Sequence, residues 1–336
     1  MKKRLAKIAA AFGAAAVIAL SATGCSSLTG MFNSSSAPTA SSQVTVLAPV
    51  PDASAPEANI GAAPPPRIER QNTRDQDDLD SSIPGTGIAI GGDGKHMYPQ
   101  IHLPGVYDGN NPLQVPKGTR PLPTGTALGP HGEQYAFYAI VPYNNPDGSP
   151  NMGFTSPDTV VVDLAHPETP LFTLHGISQA SGAYDAQSGR MIILGNTRNG
   201  DRALWQSAPV SENAAWGNTV QPLGTFSGAM NAGRESQIVA LPQGGFLVVG
   251  AGDSPHSPYT LPVEAVTAAT PQGLLSATPT ALVTQQSLPG VYGPTITDIQ
   301  VVKGKEVVTM RVSTFGGNIY DPHTYTTTFT VKPPRV

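Results

Sequence analysis

Two kinds of residue in this 336-residue chain are placed to do chemistry: carboxylates beside strands and turns, and a single cysteine behind an apolar leader. Glu235 directly follows Arg234 and a flexible Asn231-Ala232-Gly233, at the head of the strand-forming run Ser236 to Leu241. A carboxyl group so placed serves as an acid when a second, ionised carboxylate stands across a scissile glycosidic bond as nucleophile or base; alone, it forms a structural ion pair. Asp185, before a glycine turn, and Asp298, within Ile296 to Val302, are the other catalytic candidates, although Asp185 is better suited to capping its own turn. Arg234, Asp253, His256 and Tyr292 are the candidates for touching substrate. The seven histidines include no pair at metal-ligand spacing on one element, so no metal is expected. A Gly-x-Ser-x-Gly elbow and a phosphate-cradling loop before a helix are both missing, and no cofactor is expected.

The cysteine has a different chemistry. Lys2, Lys3, Arg4 and Lys7 precede an uncharged stretch from Ile8 to Leu20, the pattern of a secretion signal. At ~1.5 Å per residue that stretch falls short of the ~30 Å hydrocarbon core, so it reads as a cleaved leader rather than a spanning helix. It ends in Ala22-Thr23-Gly24-Cys25, which resembles the lipobox of bacterial lipoproteins. One cysteine in an exported chain closes no internal disulfide, and acylation of Cys25 gives it a purpose. The expectation is a lipid-anchored protein on the extracytoplasmic face of a membrane, with membrane lipid as its first partner.

Residues 1–24 are thus the expected signal peptide. Residues 25–82, rich in Ser, Ala and Pro and poor in aromatics, read as a disordered tether, because they bury too little apolar surface to offset their ordering entropy. Asp75, Asp77, Asp78 and Asp80 fall in this tether and read as solvated, since a calcium loop would need a Gly and a terminal Glu that are missing. Net charge is −4 with 12% charged residues and no basic stripe, which leaves nucleic-acid binding without electrostatic support.

The carboxylates must be positioned by residues 83–336, and these carry an internal repeat. A glycine-containing turn, a polar residue and a run of strand formers recur at Gly91 to Tyr98, Gly129 to Val141, Asp185 to Leu194, Pro242 to Val249 and Lys303 to Val312. The later turns follow one another at roughly 55–60 residues, the spacing of blades in a β-propeller. The fold expected is all-β, a five-bladed β-propeller with a β-sandwich as the alternative. The first interval is shorter, so the first blade is either incomplete or closed by the C-terminal strand Thr324 to Val331.

Arg202 to Ser207 followed by Ser211 to Trp216, then Gly233-Arg234-Glu235-Ser236, Ala269 to Gly273 and Leu288 to Pro294, together resemble a bacterial family of five-bladed, arabinanase-like propellers. That resemblance implies a propeller that binds or hydrolyses a cell-envelope carbohydrate such as arabinan, with Glu235 as acid. The alternative, from a different functional class, is a non-catalytic scaffold for another envelope protein. Trp205, Trp216, Tyr292 and Tyr320 can stack on sugar rings, although large aromatics more often fill the space between blades.

Overall fold

The computed structural model describes residues 44–45, 79–91, 113–149, 151, 156–210, 214–227, 234–251, 261–314 and 323–331. Their secondary structure is almost entirely β. The helical pieces are a 3-10 segment at Ala214–Thr219 and one α turn, α1, at Pro271–Leu274.

The strands form four antiparallel four-stranded sheets and one two-stranded ribbon. The ribbon is β2 (Leu79–Ile83) with β3 (Ile88–Gly91). The next sheet runs from β4 (Thr119–Leu128) through β5 (Gln134–Pro142) and β6 (Thr159–Asp163) to β7 (Pro170–Leu174). A third comprises β8 (Ser178–Asp185), β9 (Arg190–Asn196), β10 (Arg202–Pro209) and β11 (Gln221–Thr225). A fourth comprises β12 (Ser236–Ala240), β13 (Phe246–Ala251), β14 (Val263–Ala268) and β15 (Thr280–Val283). The last joins β16 (Val291–Val302), β17 (Lys305–Thr314) and β18 (His323–Val331) to β1 (Val44–Thr45), which pairs with the outer edge of β18.

The repeat read from the sequence marks one recurrent element of this plan. The turns after Leu128, Asp185, Ala240 and Val302 each join the first strand of a four-stranded sheet to its second. The C-terminal strand does not close the first blade: β18 adds to β17 over its whole length, from Thr314↔His323 to Glu306↔Val331. Pairing to its immediate predecessor in the chain needs no long crossover, which favours this sheet over a distant one. Two strands begin before position 83: β1, on the edge of the last sheet, and β2, which opens at Leu79 and pairs with β3.

Hydrogen bonds between first strands run in a closed circuit. Thr126 donates to the Ser82 carbonyl at 2.7 Å and links β4 to β2; Thr124 donates to the Ala180 carbonyl at 3.0 Å and links β4 to β8. The Ile238 amide donates to Ser181 at 3.3 Å, and the Ile296 amide to Gln237 at 2.7 Å. The Gly85 amide then donates to the Thr297 carbonyl at 3.1 Å, returning the circuit to the β2 hairpin. Sheets arranged radially around a common axis in this way are propeller-like; in a sandwich they would face one another in two layers.

The core follows from that arrangement. Second strands are apolar at consecutive positions because alternate side chains enter two different inter-sheet spaces. On β9, Met191 and Ile193 pack toward the β5 sheet while Ile192 and Leu194 pack toward the β13 sheet. On β13, Phe246 and Val248 share the latter space, and Leu247 and Val249 enter the one shared with β17. Trp216, carried by the 3-10 segment, sits edge-on to Phe172 at 4.7 Å and to Tyr135 at 5.7 Å between centroids, so it fills space between sheets.

Candidate functional site

Near the axis the first strands carry small and polar side chains, since several backbones must approach one another there. A Cβ on Gly125 would overlap the Ala180 carbonyl and the Ser181 side chain, so glycine permits the contact of β4 with β8. Ser81, Ser82, Thr126, Ser181 and Gln237 are all buried. Gln237 donates from Nε2 to the Ser82 carbonyl at 2.7 Å while its Oε1 accepts from Ile296, and Ser81 and Thr126 share a hydroxyl bond of 2.9 Å. These groups close the middle of the axis with satisfied hydrogen bonds.

Neighbouring first strands advance together, with Ser82 beside Ile296 and then Gly85 beside Thr297, so they run in the same sense along the axis. Residues at the heads of first strands therefore reach one mouth, and residues at their ends reach the other. This single rule sorts the candidates.

At the head of β12, Arg234 and Glu235 form an ion pair at 3.4 Å, and both side chains are largely shielded. The Arg234 guanidinium lies over the Tyr292 ring, 5.3 Å from its centroid, which brings in the head of β16. The sequence reading missed Arg202, at the start of β10. Its guanidinium is buried and donates to the Arg234 carbonyl at 2.7 Å. Burial pushes its pKa down to about 10, against the opposing pull of the Glu235 carboxylate. A second buried arginine, Arg311, pairs in register with Thr295 of β16, and burial likewise lowers it to about 10. Below them, Asn196 donates to the Gln179 side chain at 2.8 Å, and Gln179 holds a left-handed φ of 47° at the head of β8.

Asp80 lies near the same end. It occupies the bulge where β2 opens, two residues before the axial Ser82, as Glu235 lies two before the axial Gln237. Bulges re-aim side chains, and the Oδ2 of Asp80 and Oε2 of Glu235 are both hidden from solvent. Asp80 is part of the domain, not of a solvated tether. Polar composition hid it, since the axial face of a first strand is itself serine-rich.

The remaining acids lie elsewhere. Asp185 ends β8 at the opposite mouth, accepting from the Gln187 amide at 3.1 Å and the Ser188 hydroxyl at 2.5 Å as a turn cap. Asp298, past the middle of β16, accepts from the Ile299 amide and the Gln300 side chain at 2.9 and 2.7 Å. Glu235, Arg234 and Tyr292 thus come together, and Asp185 and Asp298 do not join them. Asp253, His256 and Cys25 lie outside the described residues, as does Tyr320. Among the described residues no group of three or more His, Cys, Asp or Glu side chains is arranged to hold a metal ion, and no helix is long and apolar enough to cross a membrane.

No family model matches the chain, and neither does any curated protein sequence. Solved structures do show likeness. An endo-arabinase from Bacteroides thetaiotaomicron superposes with a TM-score of 0.42 at 12% identity, covering 68% of this chain and 83% of that one. An α-L-arabinofuranosidase from Lactobacillus brevis gives 0.35 at 12% identity over 59% and 68%, and a mannose phosphorylase from Leishmania mexicana gives 0.38 at 10% over 66% and 67%.

Proposed function

We propose that this chain is a lipid-anchored surface protein whose β domain engages a cell-envelope carbohydrate at the mouth formed by the heads of its first strands. In this reading Cys25 carries the anchor, the chain between Cys25 and β2 is the spacer apart from β1, which it lends to the last sheet, and the β2–β3 ribbon counts as a truncated fifth blade. The support for the anchor is the leader and Ala22-Thr23-Gly24-Cys25; the support for five blades is the circuit of hydrogen bonds through five first strands.

The observation that carries the carbohydrate reading is the cluster of Glu235, Arg234, Arg202 and Tyr292 at one mouth. A carboxylate and a guanidinium side by side supply acceptor and donor for vicinal hydroxyls, and an aromatic beside them offers a stacking edge. Hydrolysis requires a second carboxylate, and Asp80 is the residue at the same mouth that can supply it. Glu235 and Asp80 then divide the roles of proton donor and base between them. Without Asp80 in reach, the site binds and does not cut.

The test is to incubate the purified full chain with arabinan and measure both retention and released reducing sugar, beside Glu235→Gln and Asp80→Asn. Release abolished in both variants supports hydrolysis by the pair. Retention without release, weakened in Glu235→Gln, supports binding alone, and neither retention nor release by the parent rejects the carbohydrate reading. The scaffold reading is favoured by a separate observation, an apolar cavity at the other end of the axis.

A further inference from the structure

The mouth opposite Glu235 is built from the far ends of the first strands and has a different character. A cavity of about 230 Å³ opens there between Ile83, Leu128, Ala183, Tyr184, Val239 and Ile299. Its floor touches Ser82, Thr126 and Gln237, whose polar atoms are already engaged with one another or with Ile296. The floor therefore offers a ligand few free donors, so the cavity suits an apolar group rather than a sugar ring. It is also smaller than the ~300–1,000 Å³ of sites that enclose drug-sized molecules, which scales it to one side chain.

The rim supplies the second half of the argument. Three carboxylates from three different sheets each adjoin a lining residue. Glu133 lies against Gly129, where an added Cβ would overlap its Oε2; Asp185 follows Tyr184; Asp298 precedes Ile299 and stands 3.7 Å from a Cβ placed on Gly85. All three are half-buried, and each accepts hydrogen bonds from neutral donors: the His131 amide for Glu133, turn groups for Asp185, strand neighbours for Asp298. Among the described residues no cation pairs with any of them, and the cavity lining contains no Lys, Arg or His. Arg190 sits nearby in register with Asp185, but its guanidinium donates to the Ser207 carbonyl at 2.7 Å. Leu128 at the rim is 41% exposed, and Val301, on the same strand face as Ile299, is 50% exposed. An apolar socket bordered by three half-buried carboxylates that form no ion pair among the described residues, with Lys303 and Lys305 beyond them at the β16–β17 turn, is complementary to an apolar side chain flanked by positive ones.

We propose that this mouth docks a basic segment of a partner protein, which inserts one aliphatic or aromatic side chain into the socket while flanking lysines or arginines pair with Glu133, Asp185 and Asp298. The proposal does not depend on the carbohydrate reading of the other mouth.

The experiment measures fluorescence anisotropy of the full chain with labelled heptapeptides carrying a central leucine between lysines. Controls replace the leucine by serine, or the lysines by glutamates. The lysine–leucine peptide binds, and either control binds at least about tenfold more weakly. A triple variant, Glu133→Gln with Asp185→Asn and Asp298→Asn, keeps acceptor oxygens for the turns and loses binding by a similar factor, and Leu128→Ser weakens it with the fold preserved by circular dichroism. Equal binding of all three peptides overturns the proposal, as does undiminished binding by the triple variant. Capture by phosphatidylglycerol vesicles without competition from the peptide, abolished by Lys303→Glu with Lys305→Glu, would assign this face to a membrane surface instead and overturn it as well.

Discussion

The Gln237 side-chain amide reaches the Ser82 carbonyl across the axis at 2.7 Å, joining residues 155 positions apart, while its oxygen takes the Ile296 amide at 2.7 Å. One buried side chain thereby ties three first strands together. Because the strands share one sense, this tie also sets the level at which Glu235 and Asp80 emerge at the polar mouth and at which the apolar socket begins beneath it.

Replacing Gln237 by leucine should therefore be costly. It leaves the buried Ile296 amide unsatisfied, at a cost of about 1–3 kcal/mol, and removes one of two hydrogen bonds to the Ser82 carbonyl, which keeps the one from Thr126. Urea denaturation of Gln237→Leu should show a midpoint well below that of the parent, by a margin larger than for the exposed change Val301→Thr at the hairpin tip. An unchanged midpoint would mean that the axial hydrogen bonds are not what joins the sheets.

Gly217→Ala tests the packing of the 3-10 segment. A Cβ there would overlap the Phe172 ring, which is itself pinned edge-on by Trp216. Neither ring can swing away without opening the space between the β7 and β10 sheets. The expected loss is about 1–3 kcal/mol, read as a drop in thermal midpoint, with the near-ultraviolet circular dichroism of the tryptophans altered. The same substitution at exposed Gly132 in a turn would instead act through its φ of 91°, without a steric clash.

Much of this plan was legible because turn chemistry is local. The Gly turns at Gly132, Gly189 and Gly244 needed only their own residues and the strand formers after them, and each proved to join a first strand to a second. The grouping of the acids was less accessible. Glu235 precedes a first strand and Asp185 ends one, so a consistent strand direction sends them to opposite mouths, and that inference needs the axis as well as the hairpins. Arg202 could not be found from local pattern, since the groups it meets, the Arg234 carbonyl and the field of the Glu235 carboxylate, lie more than 30 residues along the chain. Asp80 was concealed because the serines beside it, which serve the axis, look like the serines of a spacer.

Arg202→Met probes the support of the polar mouth. Methionine retains most of the apolar stem but removes the donor to the Arg234 carbonyl and the positive charge facing Glu235. The expected cost is about 1–3 kcal/mol of stability, with carbohydrate retention falling as it does in Glu235→Gln. Retention unaffected by Arg202→Met, with the fold intact, would separate the Glu235 cluster from the proposed binding.

Glu306 gives the domain a pH dependence whose sign can be worked out. Its side chain is fully buried on β17, accepting from the Gln243 amide at 2.7 Å in the turn of the adjacent sheet. Burial raises its pKa above the ordinary value of 4.5, more than the Gln243 hydrogen bond lowers it. The folded state thus holds a proton that the unfolded chain releases, and stability contributed by the neutral acid is present below the unfolded value and lost as pH climbs through the raised one. Glutamine keeps the acceptor for Gln243 and never ionises. Glu306→Gln should accordingly match the parent below the ordinary carboxylate value and exceed it in denaturation midpoint at pH 7, where the parent has lost stability through its raised pKa. Equal midpoints for the two proteins at pH 7 would show that Glu306 ionises in place without penalty, and a lower midpoint for the variant would show that its carboxylate is a stabilising partner of the Gln243 turn.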